Sequence, residues 1–263
     1  MKVFRVAILI VWLAINGTAA SPRPVVVEIF TGTWCPYCYH AESAIHELTG
    51  EYDPTELIPL AYHQSDEFSS LDTERRGWQY GIQSFPTVIF GGSVGMVGGY
   101  EGMVDDFREI IDQESRKTSE YTVEGEFTLT QTEVTMNVSV VAGEAAEKLE
   151  IDVVEILVER EIDFEGANGL SPQEFVVRDM SQPERLTLEP AGTTGRETAF
   201  ELEPSWSNEE LYGVVLVQNS ETGEVLQARR LVRESAVRSW AVHGRSGGWE
   251  RFRDDGGGGQ KKM

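Results

Sequence analysis

The chain contains two cysteines, Cys35 and Cys38, and two residues separate them. A pair at this spacing can close a small disulfide ring and open it again, because thiolate attack on a disulfide sulfur both forms and breaks such bonds. Trp34 precedes the pair, and Pro36 and Tyr37 lie inside it. We predict that Cys35 is the exposed nucleophile and that Cys38 is the shielded thiol that resolves a mixed disulfide.

The segments on either side of the cysteines have different patterns. Residues 25–30 are apolar apart from Glu28, which is typical of a buried strand. After Cys35 the apolar residues recur at helical spacing, so we predict a helix that begins at Cys35. Its unpaired N–H groups and positive dipole end would favour a thiolate at Cys35. Pro36 suits a first helical turn, because proline has no N–H to leave unpaired.

A second motif, Ser84-Phe85-Pro86-Thr87, comes just before a predicted strand. We predict a cis peptide bond at Pro86, because cis bonds are nearly confined to proline. This bond would place the backbone of Phe85 against the cysteine pair. There it could hold a substrate peptide by strand-like hydrogen bonds.

Residues 21–118 are predicted to form one α/β domain. The predicted order is β-α-β-α-β-β-α, in which a helix joins two parallel strands and a hairpin and a packing helix follow. The predicted strands cover residues 25–30, 57–63, 87–90 and 93–97, and the predicted helices cover 35–50, 71–80 and 103–117.

Residues 119–234 contain about eight short apolar or alternating runs, separated by turn signals. This pattern predicts an antiparallel β-sandwich of the immunoglobulin-like class. Glutamates alternate with Val, Ile and Leu in these runs, and we interpret them as a solvated face. Residues 235–263 include a glycine run and are predicted to be a flexible tail.

Residues 1–20 have the layout of a secretory signal peptide. Lys2 and Arg5 precede an apolar run over residues 6–15, and the small residues 18–20 predict cleavage after Ala20. The run is too short to span a bilayer comfortably, and we expect no transmembrane span in the mature chain. We therefore expect a protein exported to the periplasm or cell envelope, associated with the outer membrane or secreted.

The composition narrows the classes of partner. The formal net charge is −22, from 22 basic and 44 acidic residues, which argues against nucleic acid, since phosphate binding needs a cationic face. Two cysteines cannot alone supply the four ligands of a structural zinc site. We predict no metal and no cofactor, and protein thiols or disulfides as partners.

Four further residues could support the cysteine pair. Glu28 could relay a proton to Cys38 or could be an edge residue that faces solvent, and the sequence does not decide between the two. His63 ends a predicted parallel strand and could stabilise the Cys35 thiolate, although a hydrogen-bonded structural histidine is the favoured interpretation. Trp34 is expected to shield the cysteines, and Tyr37 to contact substrate.

Residues 25–117 resemble a thioredoxin-fold domain, with Cys35 and Cys38 at the positions of the redox pair and Pro86 at that of the cis-proline. Residues 30–35 and 61–63 are more similar to an exported bacterial family that is named for a 28-kilodalton outer-membrane protein. That family joins a thioredoxin-like domain to a β-rich domain, whose closing hairpin resembles residues 215–228. The resemblance implies a redox-active disulfide and thiol–disulfide oxidoreductase activity.

Two functions remain open at this point. The first is an exported thiol–disulfide oxidoreductase that acts on protein thiols. Its β-sandwich would position partners at the cell envelope. The second is a non-catalytic envelope binding or adhesion protein, in which Cys35 and Cys38 form a structural disulfide. A structural bridge would have a reduction potential below about −300 mV.

Overall fold

The structure, a computed structural model, describes residues 20–233. The predicted signal peptide up to residue 19 and the predicted tail at residues 235–263 lie outside the described residues. The helices of the described part are α1 (Cys38–Thr49), α2 (Leu71–Tyr80) and α3 (Met103–Glu114). None of these helices is long and apolar enough to cross a membrane.

Most of the regular secondary structure in the described residues is β-strand. The first six are β1 (Ser21–Pro22), β2 (Val25–Thr31), β3 (Leu57–His63), β4 (Thr87–Phe90), β5 (Val94–Val97) and β6 (Thr118–Ser119). The next four are β7 (Tyr121–Leu129), β8 (Glu133–Ala142), β9 (Leu149–Ile162) and β10 (Gln173–Met180). The last four are β11 (Glu184–Leu188), β12 (Thr193–Glu201), β13 (Leu211–Asn219) and β14 (Val225–Leu231).

The strand β2 lies at the centre of the α/β part. It pairs in parallel with β3 and antiparallel with β4, and β5 continues the hairpin. Side chains alternate between the two faces of a strand, so Val25, Val27 and Ile29 share one face. They pack against buried residues of α1 and α3, such as Ile45 and Phe107. This packing fixes the face of β2 on which the helix that carries Cys38 lies.

The opposite face of β2 contributes to a core that both halves of the chain share. Val26 and Phe30 belong to one buried cluster with Val154 of β9 and with Tyr212 and Leu216 of β13. Burial of these large side chains from both halves stabilises each half through the other, because apolar burial contributes roughly 1.5–3 kcal/mol per side chain.

One sheet runs through both halves of the molecule. Its strand order is β14-β13-β9-β10-β3-β2-β4-β5, and β11 pairs with β9 as the ninth strand. The strand β10 lies parallel to β3, with Val176 opposite Ala61. At the far end, the N–H of Val225 donates to the carbonyl of Gly91 at 2.9 Å, so β14 begins beside the β4–β5 turn. The large sheet therefore curves around the shared core.

The predicted sandwich is found only in part. The eight predicted strands are present, and β12-β8-β7 form a separate antiparallel sheet. Met136 of this sheet packs in one cluster with Leu157 of β9 and Val215 of β13. Two layers therefore pack face to face, as in a sandwich, but one of them is the sheet that continues into the α/β part.

Two glutamates of β9 correct part of a second expectation, whereas Glu124, Glu126 and Glu150 are exposed, as predicted. Glu155 and Glu159 are 0% and 2% exposed, so they do not lie on a solvated face. Glu155 accepts a hydrogen bond from the hydroxyl of Ser181 at 2.7 Å, and Glu159 accepts one from Arg178 at 2.7 Å. A buried carboxylate persists where such partners replace water, and those partners come from distant segments that alternation along a strand does not reveal.

Candidate thiol–disulfide site

Cys35 and Cys38 form a disulfide between the end of β2 and the start of α1, and their Cα atoms are 5.4 Å apart. Two backbone hydrogen bonds shape this segment. The N–H of Cys35 donates to the carbonyl of Gly32 at 3.0 Å, and the N–H of Cys38 donates to the carbonyl of Cys35 at 3.2 Å. The pair is therefore held in a tight turn that leads from strand to helix.

The helix begins at Cys38 and not, as predicted, at Cys35. The residue before a proline is disfavoured in the helical region, and Cys35 precedes Pro36. The N-cap residue Tyr37 makes no side-chain capping bond, and the first turn contains no acidic residue. The positive end of the α1 dipole is therefore not neutralised locally, and it favours negative charge at the cysteine pair.

Both sulfur-bearing residues are buried in the disulfide form. Cys38 is 0% exposed, as predicted, but Cys35 is 2% exposed, and the expectation of an exposed Cys35 is wrong for this form. The loop after β5 comes close to the turn, since a Cβ atom on Gly99 would lie 2.0 Å from the carbonyl oxygen of Tyr37. The loop after β5 therefore packs against the backbone of the turn, while the side chains of Pro36 and Tyr37 stay exposed.

Aromatic side chains flank the buried sulfurs. Trp34 and Tyr37 are 46% and 65% exposed. The indole N–H of Trp34 donates to the carbonyl of Gln64 at 2.9 Å, and its ring meets the ring of Phe85 edge-on at 5.5 Å. The Phe85–Pro86 peptide bond is cis, as predicted. The structure thus brings the second motif beside the cysteine turn.

Glu28 lies on the face of β2 opposite α1. It is fully buried and accepts hydrogen bonds from Arg76 at 2.7 and 2.9 Å and from the hydroxyl of Tyr80 at 2.6 Å. Burial works against the charge of Arg76, but the Glu28 carboxylate outweighs it and raises the pKa of Arg76. The solvent-facing interpretation of Glu28 is therefore wrong, and its carboxylate is engaged in an ion pair with α2.

His63 is fully buried at the end of β3. Its Nδ1 lies 2.7 Å from the carboxylate of Asp66, and that carboxylate also accepts the backbone N–H groups of Thr33 and Phe68. Burial opposes charge on Asp66, but His63 and these N–H groups together lower the pKa of Asp66. These bonds match the structural interpretation of His63, and through Thr33 they also anchor the loop that leads to Cys35.

Sequence reasoning missed Glu42, which lies one helical turn after Cys38. The hydroxyl of Thr31 donates to its carboxylate. Burial raises the pKa of Glu42, and Asp66 and Glu174 act in the same direction, whereas His63 and the Thr31 hydroxyl oppose them. The spacing of four residues from Cys38 was a signal that could have found it, since residues at this spacing share a helix face.

Comparisons with known proteins address the fold. No family model matches the chain. A thioredoxin from Methanocaldococcus jannaschii is 26% identical over 72 residues, which is 27% of this chain and 76% of the relative. The part of the chain that carries Cys35 and Cys38 has a thioredoxin-like fold. This agrees with the resemblance inferred from the cysteine and proline motifs.

The likeness of fold to one solved structure covers most of the chain. HBP35 of Porphyromonas gingivalis superposes with a TM-score of 0.66 at 18% identity, covering 82% of this chain and 77% of that one. At this identity the match concerns the fold alone. A domain of the outer membrane lipoprotein Omp28 from Porphyromonas gingivalis is also similar, with a TM-score of 0.31 and 14% identity over 44% of this chain and 88% of that one.

Proposed function

We propose that this chain is an exported thiol–disulfide oxidoreductase that acts on protein thiols or disulfides through Cys35 and Cys38. The observation that carries the proposal is the disulfide itself, which lies between β2 and α1 of a thioredoxin fold and beside the cis Phe85–Pro86 bond. The predicted signal peptide supports a location in the periplasm or cell envelope.

The proposed reaction begins from the disulfide form. A substrate thiolate attacks Sγ of Cys35, a mixed disulfide forms, and the electron pair of the broken bond goes to Sγ of Cys38, which takes up a proton. A second substrate thiolate then attacks the substrate sulfur of the mixed disulfide and releases the Cys35 thiolate. The substrate loses two electrons and the cysteine pair gains them, and the reverse sequence reduces a substrate disulfide.

Three features of the site support this chemistry. The uncapped N-terminus of α1 stabilises a thiolate at the cysteine turn. The exposed rings of Trp34 and Tyr37 offer apolar contact to a substrate chain beside the sulfurs. The ring of Phe85 meets the ring of Trp34, which puts residue 85 beside the cysteine turn, where its backbone could pair with an extended substrate segment.

One observation favours the second candidate, an envelope binding protein with a structural disulfide. Cys35 and Cys38 are 2% and 0% exposed, and buried bridges are harder to reach by an attacking thiolate. Under that alternative the β-rich half, which we propose is related to immunoglobulin-like sandwiches, would carry the binding surface.

Reduction of insulin disulfides by the mature chain tests the proposal. Wild-type protein should accelerate reduction, Cys35→Ser should abolish the acceleration, and Cys38→Ser should accumulate a mixed disulfide with substrate. Equal rates for the wild type and Cys35→Ser would refute catalysis. Equilibration with dithiothreitol buffers gives the potential, and a value below about −300 mV would favour the structural bridge.

A further inference from the structure

The helix α1 places Glu42 directly behind Cys38. Residues four apart on a helix have Cβ atoms roughly 5–6 Å from each other, so the carboxylate of Glu42 can reach the neighbourhood of the Cys38 sulfur. Thr31, the last residue of β2, donates its hydroxyl to this carboxylate from the sheet side. The carboxyl group is thus held against the end of β2, on the helix face that also carries Cys38.

Charged or titratable groups from β3, the loop after it and β10 act on Glu42. His63 on β3 is the register partner of Thr31, and Asp66 holds the Nδ1 atom of His63. On the side of β10, Glu174 binds His46 of α1 at 2.6 Å. The Nε2 atom of His63 is buried and has no hydrogen-bond partner among the described residues. Glu42 therefore lies among groups that change its affinity for a proton.

The alternative carboxylate is poorly placed for the same task. Glu28 lies on the opposite face of β2 from α1, and Arg76 and Tyr80 occupy its oxygens. Arg76 and Tyr80 therefore hold the Glu28 carboxylate on the side of the sheet away from α1, the helix that carries Cys38. Glu42 has no arginine or lysine bound to it among the described ion pairs.

We propose that Glu42 gives a proton to Cys38 when the disulfide opens and takes it back when the disulfide closes, an inference that rests on the proposed function. On opening, a thiolate bonds to Sγ of Cys35 and the Cys35–Cys38 bond breaks with both electrons on Sγ of Cys38. The proton moves from the Glu42 carboxyl group to that sulfur and leaves a carboxylate. Glu42 is partly exposed, so solvent can restore its proton.

Reduction of the Cys35–Cys38 disulfide by dithiothreitol, followed by stopped-flow tryptophan fluorescence, tests this role. The pH is varied from about 4 to about 9, which spans the usual pKa values of a carboxyl group and a thiol. Glu42→Gln should slow opening by about 100-fold at the acid end, the lower range of general acid catalysis, and the two rates should converge at the alkaline end. Glu42→Asp should recover part of the lost rate.

Glu47→Gln is the matched control, because Glu47 is on the same helix with a side chain that is 62% exposed. It should follow the wild-type profile. Superimposable profiles for the wild type and Glu42→Gln would overturn the proposal, and so would a uniform slowing of Glu42→Gln at every pH. Insulin reduction distinguishes failure of the proposed function from failure of the role of Glu42. A wild type that is inactive on insulin refutes the proposed function, whereas the dithiothreitol profiles alone decide the role of Glu42.

Discussion

The buried pair of Glu28 and Arg76 allows a quantitative test of the fold. The two side chains are 0% and 5% exposed, and Arg76 makes both a 2.7 Å and a 2.9 Å bond to the carboxylate. Arg76→Met removes both bonds and leaves Tyr80 as the remaining donor to Glu28. The variant therefore contains a buried carboxylate without a countercharge.

Loss of one partner from a buried pair costs about 3–5 kcal/mol, because the remaining charge is left uncompensated in the interior. For a chain of this size such a loss lowers the Tm by roughly 6–20 °C. The double variant Glu28→Leu with Arg76→Met removes both charges, and it should regain most of the stability, since apolar replacements of buried pairs are often neutral.

Urea unfolding at neutral pH, followed by circular dichroism, measures these differences. Arg75→Met is the matched control, because Arg75 is 45% exposed and pairs with Asp72 at the surface, so its loss should cost no more than about 1 kcal/mol. An Arg76→Met variant as stable as Arg75→Met would refute the reasoning. Dithiothreitol should also open the disulfide of the double variant at the wild-type rate. Slower opening would show that Glu28 takes part in the reaction.

Two further predictions concern pH. Burial raises the pKa of Glu42 in the folded protein, so the folded state holds this proton more tightly than the unfolded state and loses stability as pH rises from about 4. In urea unfolding, the free energy of unfolding of Glu42→Gln should equal that of the wild type in acid and exceed it at neutral pH. A variant that is less stable than the wild type at neutral pH would contradict this. The hydrogen bond between Nδ1 of His46 and the carboxylate of Glu174, which accepts it, raises the pKa of His46. This pair therefore stabilises the fold fully below the ordinary pKa of 6.5 and loses its effect as pH rises through the raised value. The cost of His46→Gln should be under about 1 kcal/mol in acid and absent in alkali, and a cost that is independent of pH would contradict the assignment.

Local signals predicted most elements of the thioredoxin-fold half. The bounds of β3, α2 and β4 agree with the sequence prediction. Continuous apolar runs mark the buried strands, and Gly81 ends α2 with a φ of 64°, which a residue without a Cβ adopts at little cost. The cis bond at Pro86 followed from residue type and position in the same way.

The pairing between the halves had no such signal. The strands β10 and β3 join through Val176 and Ala61, which are far apart in the sequence. Nothing local in β10 states that its neighbour is β3 and not a strand of the small sheet. The solvated-face interpretation was wrong at Glu155 and Glu159 for the same reason, since their partners Ser181 and Arg178 lie on or just after β10.

Glu28 and Glu42 show which features of the site follow from sequence spacing and which depend on tertiary packing. A strand period of two places Glu28 on the same face as Val26 and Phe30, and a helix period of 3.6 places Glu42 beside Cys38. Both statements follow from spacing, but neither states which face of β2 receives α1. That choice is made where Val27 and Ile29 pack under α1, and it directs Glu28 towards Arg76 and leaves Glu42 as the carboxylate on the side of the disulfide.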